Sequence, residues 1–404
     1  NSAQVAVLNS AQVAAIKTTD IDTLSTAAIK AINTEAVYGL NTDQIVNLTS
    51  AQIGALNTAQ TAEFNTAQAA AIQTSDISAL TTAAARTLST AAIAALGTDQ
   101  IAALTTAQVA ALDSNQAGAL TSAQIVALES TDLAALNTAQ VAALSSAQAT
   151  VIETTDISAL TSTNVRALST DASSALTTLQ IQALTTTQTA AFTTDQFSTL
   201  TTAQIAALQS TAFAAMNSAQ VSTLNSAQLG AIETTNIGVL STLAIKVINT
   251  EAIHGLTTDQ VFNLNTAQLA VLNTAQTAEF NTAQATAIQS TSIDVLSTAA
   301  VRTLTTAAVA ALSTAQIAAL TTAQVNGLNT EQIQALTTNQ VLALNSADVA
   351  ALNTTQTAVL DTAQAVAIET SDLLALSTAA LRTLSTAAVA ALDTNQILAL
   401  TTEQ

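Results

Sequence analysis

A single histidine, His254, and seven Lys or Arg side chains stand among 26 Asp and Glu in a chain without cysteine. Acid–base work near neutral pH asks for an imidazole or a tuned carboxylate. His254 fills the slot that Tyr38 fills 27 octads earlier (254 − 38 = 216), so the position does without imidazole and reads as surface. Serine and threonine are plentiful, but no Ser–His–Asp or Cys–His arrangement can be assembled around them. No Gly-rich phosphate loop and no His/Cys metal spacing appears. Glu63 and Glu279 precede Phe64 and Phe280 in matched copies and read as a repeated packing variant. Asn47-Leu48-Thr49 and Asn353-Thr354-Thr355 match the glycosylation sequon. The residues point to no catalytic, cofactor or metal site, and to no enzyme.

The charges that do follow a rule mark six junctions, at residues 17, 73, 153, 233, 289 and 369. Just before each stands Ile16, Ile72, Ile152, Ile232, Ile288 or Ile368. An aspartate follows at four of them: Asp20, Asp76, Asp156 and Asp372. A lone cation follows at all six: Lys30, Arg86, Arg166, Lys246, Arg302 and Arg382. Two readings fit. The ridge is a docking strip or a contact between neighbouring molecules, or it is an Asp–Lys/Arg pair worth about 0–1 kcal/mol when exposed. Asn236 and Ser292 replace the aspartate at two junctions, so neither an ion pair nor a Ca²⁺ site is required at all six.

What positions these residues is an eight-residue phrase repeated without insertion from Asn1, as in NSAQVAVL and NSAQVAAI. Fifty octads and the remnant Thr401–Gln404 make a single array over 1–404. Position 8 is Leu or Ile in every octad except at Phe64, Phe192, Met216 and Phe280. A longer repeat overlies the short one with a period of 27 octads (233 − 17 = 216): the stretch 17–232 recurs in part at 233–404. A register that never slips means one structural unit per octad, stacked on its neighbours. Both ends fall inside the pattern, which suggests a segment of a longer chain.

In TTAQVAAL, residues 105–112, Thr105 and Gln108 form an S/T-x-x-E/Q capping box. A capping box every eight residues predicts a helix start every eight residues. Positions 5 and 8 share one face of a short helix. On a continuous helix, eight residues overshoot two turns by about 80°, so the apolar stripe would wander out of any core. Coiled coils need repeats near 7 or 11, and a flat strand would send positions 5 and 8 to opposite sides. What remains is a helix of about six residues and a sharp turn at positions 8 and 1. Asn, frequent at position 1, suits both a left-handed helix terminus and the next N-cap. Helices this short survive only by packing side by side, with Val109 and Leu112 and their equivalents as the inner seam. The expected fold is an all-α solenoid, with a β-solenoid on the Thr-rich stretches as the alternative. Junction spacings of 7 and 10 octads fit two and three coils if a coil holds 27/8, or about 3.4, octads. Three octads per coil is the simpler alternative.

With a net charge of −19, nucleic acid is a poor partner. No run of about 18 apolar residues offers a transmembrane span. The phrases LTTAQVAAL, LSTAQIAAL and LTTDQ resemble the Thr/Ala/Gln-rich repeat tracts of very large bacterial surface and secreted proteins, many of them adhesin-like. That resemblance implies an extracellular, repetitive spacer or fibre and brings no functional residues with it. The expected function is a stiff stalk or filament that self-associates end to end or laterally. A solenoid binding a peptide or glycan is the alternative, and an ice- or crystal-surface binder a third.

Overall fold

The computed structural model describes residues 1–404. It contains 49 α-helices and one 3-10 helix, Ile293–Val295, with no strand. The all-α expectation therefore holds and the β-solenoid does not. Each α-helix begins at position 2 of its octad and runs for four to six residues, as in Thr106–Ala111 and Thr138–Ala142.

Each helix starts where the capping box places it. The Gln108 amide N–H meets Thr105 Oγ1 at 3.3 Å, and the Thr105 N–H donates to Gln108 Oε1 at 2.7 Å. The exit differs from expectation. No residue, Asn included, adopts a positive φ. Leu112 (φ −54°, ψ 143°) and then Asp113 (φ −81°, ψ 171°) are simply extended, and Asn at position 1 serves as a cap alone. A left-handed terminus normally satisfies the last carbonyls of a helix; here other donors reach them.

Positions 4, 5 and 8 face inward: Gln108, Val109 and Leu112 are all buried. The seam at positions 5 and 8 is as the spacing requires. Burial of position 4, a polar residue in most octads, is the addition.

Contacts gather the chain into two compact units, Asn1–Ala207 and Leu208–Gln404. In the first, Ser2–Val5 packs on Thr26–Ala31 and Ser10–Ala14 on Thr34–Val37, each helix against the one three octads ahead. In the second, Ser218–Ser222 packs on Thr242–Val247 in the same way. Glycine appears where two coils approach most closely. A Cβ on Gly39 would lie 2.0 Å from the Ser10 carbonyl oxygen, and one on Gly255 1.9 Å from that of Ser226.

Candidate functional site

The buried glutamine at position 4 joins the coils. Its Oε1 closes the capping box of its own helix, which leaves both Nε2 protons free to donate. Gln108 Nε2 donates to the carbonyls of Ile77 at 3.0 Å and Leu80 at 2.7 Å, at the C-terminal end of the helix four octads earlier. Gln44 reaches Val13 and Ile16 in the same way (2.9 and 2.7 Å), and Gln356 reaches Val325 and Leu328 (both 2.9 Å). One amide thus starts one helix and finishes another. No buried side-chain nitrogen or oxygen lacks a partner. A helix packed on its third neighbour and bonded to its fourth belongs to a coil of between three and four octads. That agrees with the non-integral alternative and not with three.

Each junction interrupts this ladder for about one coil. Asp76 is followed at position 4 by Ala84 and Ala92, Asp156 by Asn164 and Ala172, and Asp372 by Ala380 and Ala388. The three aspartates are buried and accept a hydrogen bond from a serine hydroxyl three octads earlier: Ser50, Ser130 and Ser346. Asn236 takes the same bond from Ser210 at 2.5 Å. Asp20 is exposed and accepts from Thr19 Oγ1 at 3.0 Å. Lys30, Arg86, Arg166, Lys246, Arg302 and Arg382 all point to solvent. None lies within 4.0 Å of a carboxylate; the ion pair present joins His254 and Glu279. The structure therefore turns three of the four junction aspartates inward and every junction cation outward, and does not bring the two together.

Other residues meet that the sequence had shown only apart. His254 Nε2 lies 2.8 Å from Glu279 Oε2, with both side chains partly exposed. In the first unit Tyr38 hydrogen-bonds to Glu63. Loss of the phenol proton beside that carboxylate is opposed by the bond and by the negative charge, so the Tyr38 pKa is raised above the ordinary 10.0. Both pairs span three octads plus one position. Their shared offset in the two copies was the available signal. Each ties the outer surface of one coil to the next, while the hydroxyl pairs Thr61–Thr87 and Thr277–Thr303, both 2.7 Å, join coils from the buried Thr61 and Thr277. Nowhere do three His, Asp or Glu side chains converge as a metal-binding group. No helix is long and apolar enough to cross a membrane.

These arrangements cross-link coils rather than hold a reacting atom. Comparison with curated proteins returns no match. The ALTTAQ repeat family matches residues 13–50, 69–106, 101–128, 125–151, 149–186, 229–266, 286–322, 317–346 and 365–402. These stretches cover most of the chain in both units and share the capped octad and its inner seam. The chain belongs to the ALTTAQ repeat family.

Proposed function

We propose that this is a non-enzymatic structural protein: a stiff, extracellular stalk or filament segment at a bacterial cell surface, assembling with copies of itself. The observation that carries the reading is the glutamine ladder. Within each unit, most octads between the junctions are tied to the helix four octads earlier by the same two hydrogen bonds, 28 and 31 residues apart, inside a buried seam. In a stack of this kind each repeat is held only by its neighbours, and bonds repeated along the stack between junctions resist bending there. Chemistry is spread evenly rather than concentrated in a cleft. The outer surface is mostly short polar side chains with net negative charge, which suits a spacer better than a receptor. A surface location accords with the absence of cysteine and with the Thr/Ala/Gln-rich repeats of large exported proteins.

Negative-stain electron microscopy of the purified chain tests this reading. Straight particles several times longer than wide are expected. Particles about as wide as long would end it. Surface labelling of the producing cells with an antibody against the repeat tests the location, and signal only after permeabilisation would refute that part.

A further inference from the structure

Stacking by steps of three and four octads sorts the surface charges into columns. In the first unit one column can be traced through the octads starting at residues 1, 25, 49, 81, 105, 137, 161 and 185: helix contacts join the three-octad steps, and at the step from 49 to 81 Thr81 lines one recess with Ala55 and Lys30. The step from 105 to 137 is bridged by Gln140, whose Nε2 donates to Val109 and Leu112 at 2.8 Å. Lys30, Arg86 and Arg166 all stand on this column, and no octad in it contains Asp or Glu. In the second unit the corresponding octads start at 217, 241, 265, 297, 321, 353 and 377. They hold Lys246, Arg302 and Arg382, again without a carboxylate. On a chain with 26 acidic residues this is a separation of charge. It is also unspent, since none of the six cations has a carboxylate partner within the molecule.

The adjacent column runs through the junction octads and, Lys17 apart, its exposed charges are acidic. Asp43, Asp99 and Glu153 in the first unit, and Asp259, Glu369 and Asp393 in the second, are exposed on it. Successive cations within a unit are seven and ten octads apart, which is two and three coils. With helices packed about 8–10 Å apart, that separates them by about 16–30 Å. A small anion can therefore touch one cation at a time. A partner that engages the row must be extended and must present carboxylates spread along the same coil spacing. The junction column of a second copy is extended and carries exposed carboxylates along its length, with Asp43 and Asp99 seven octads apart like Lys30 and Arg86.

We infer that in each unit the carboxylate-free column is a docking face for the acidic junction column of a second copy lying alongside. The two faces differ, so every copy carries one of each, and the contact propagates laterally rather than closing as a dimer. The inference rests on the self-assembling structural reading and names the surface that reading requires.

Sedimentation velocity of the full chain tests it. One variant reverses all six cations to Glu. A second reverses Asp43, Asp99, Glu153, Asp259, Glu369 and Asp393 to Lys, and circular dichroism checks that both fold. The natural chain should form concentration-dependent assemblies at about 20 mM salt that dissociate at about 500 mM, where screening is short-ranged. Each variant alone should associate at least about tenfold more weakly, and mixing the two should restore assembly, because opposite faces again match. Undiminished assembly of the cation-reversed variant overturns the inference, as does a natural chain that stays single at low salt. Long single particles at every salt concentration would overturn this docking face while leaving the stalk reading in place. Compact particles would remove the stalk reading itself.

Discussion

Replacing Gln108 by Glu isolates what the glutamine ladder contributes. The carboxylate keeps the oxygen that accepts from the Thr105 N–H, so the capping box can persist. It loses the Nε2 group that donates to Ile77 and Leu80, and sets a buried charge against two carbonyl oxygens. Two hydrogen bonds lost at about 0.5–1.5 kcal/mol each, with a buried carbonyl left unsatisfied at about 1–3 kcal/mol, give a deficit of about 2–6 kcal/mol at neutral pH. The buried acid's pKa is raised in the folded state, so the folded form binds the proton more tightly than the unfolded one. The deficit is then full above the folded pKa and shrinks as pH falls towards the ordinary Glu value of about 4.3, where a protonated carboxyl can donate to one carbonyl. Thr105→Ala, by contrast, removes a 3.3 Å cap bond and should cost about 1 kcal/mol at any pH. Native-state hydrogen exchange is the suitable assay, because long repeat arrays do not unfold in one step. Loss of protection should centre on residues 97–120 and on the partner octad 73–80, leaving distant octads unchanged. If Gln108→Glu costs no more than Thr105→Ala, with no pH dependence, the ladder reasoning is refuted.

Four further outcomes rest on the same geometry. Leu112→Ala should cost about 2–5 kcal/mol by opening the seam, again as a local loss of exchange protection. Buried Asp348 stands where most octads hold Gln, and desolvation raises its pKa, opposed by the Asn345 N–H bond. Asp348→Gln should therefore stabilise the second unit by about 1–3 kcal/mol at neutral pH, with a smaller gain as acid protonates the natural residue; a destabilised variant in denaturant titration would contradict this. Gly255→Ala should destabilise by more than about 2 kcal/mol because its Cβ meets backbone at 1.9 Å, whereas Gly238→Ala meets its nearest atom at 3.5 Å and should be neutral or better in thermal melts. Tyr38 is the only tyrosine, so ultraviolet titration reads it alone: its midpoint should lie above 10.0 and fall in Glu63→Gln, and an unmoved midpoint would deny the clasp.

Local rules made the octad legible, and supercoil geometry hid the rest. Thr105 and Gln108 announced a helix start because a capping box closes within four residues. Val109 and Leu112 announced the seam because their spacing fits a single turn. The other half of Gln108's role lay four octads back, at Ile77 and Leu80, an offset set by how many octads fill a coil. The left-handed helix exit that Asn suggests is absent for the same reason: Gln140, the equivalent of Gln108, donates to Val109 and Leu112, so Leu112 and Asp113 stay extended and no left-handed residue is needed. Among the junction residues, spacing alone marked Asp76 and Arg86 as related. That one turns inward to Ser50 and the other outward to solvent depends on which octad lies beneath each. Tyr38–Glu63 and His254–Glu279 were visible as matched copies but not as pairs.

At the centre of the fold, one side-chain amide starts its own helix and finishes the helix four octads earlier. Scalar coupling across hydrogen bonds, measured by NMR from the side-chain amide protons of Gln108, tests this most directly. Couplings to the carbonyl carbons of Leu80 and Ile77, with slowly exchanging side-chain amide protons, are the expected result. Fast-exchanging amide protons without such couplings, or couplings to carbonyls of the octad three places earlier, would contradict it.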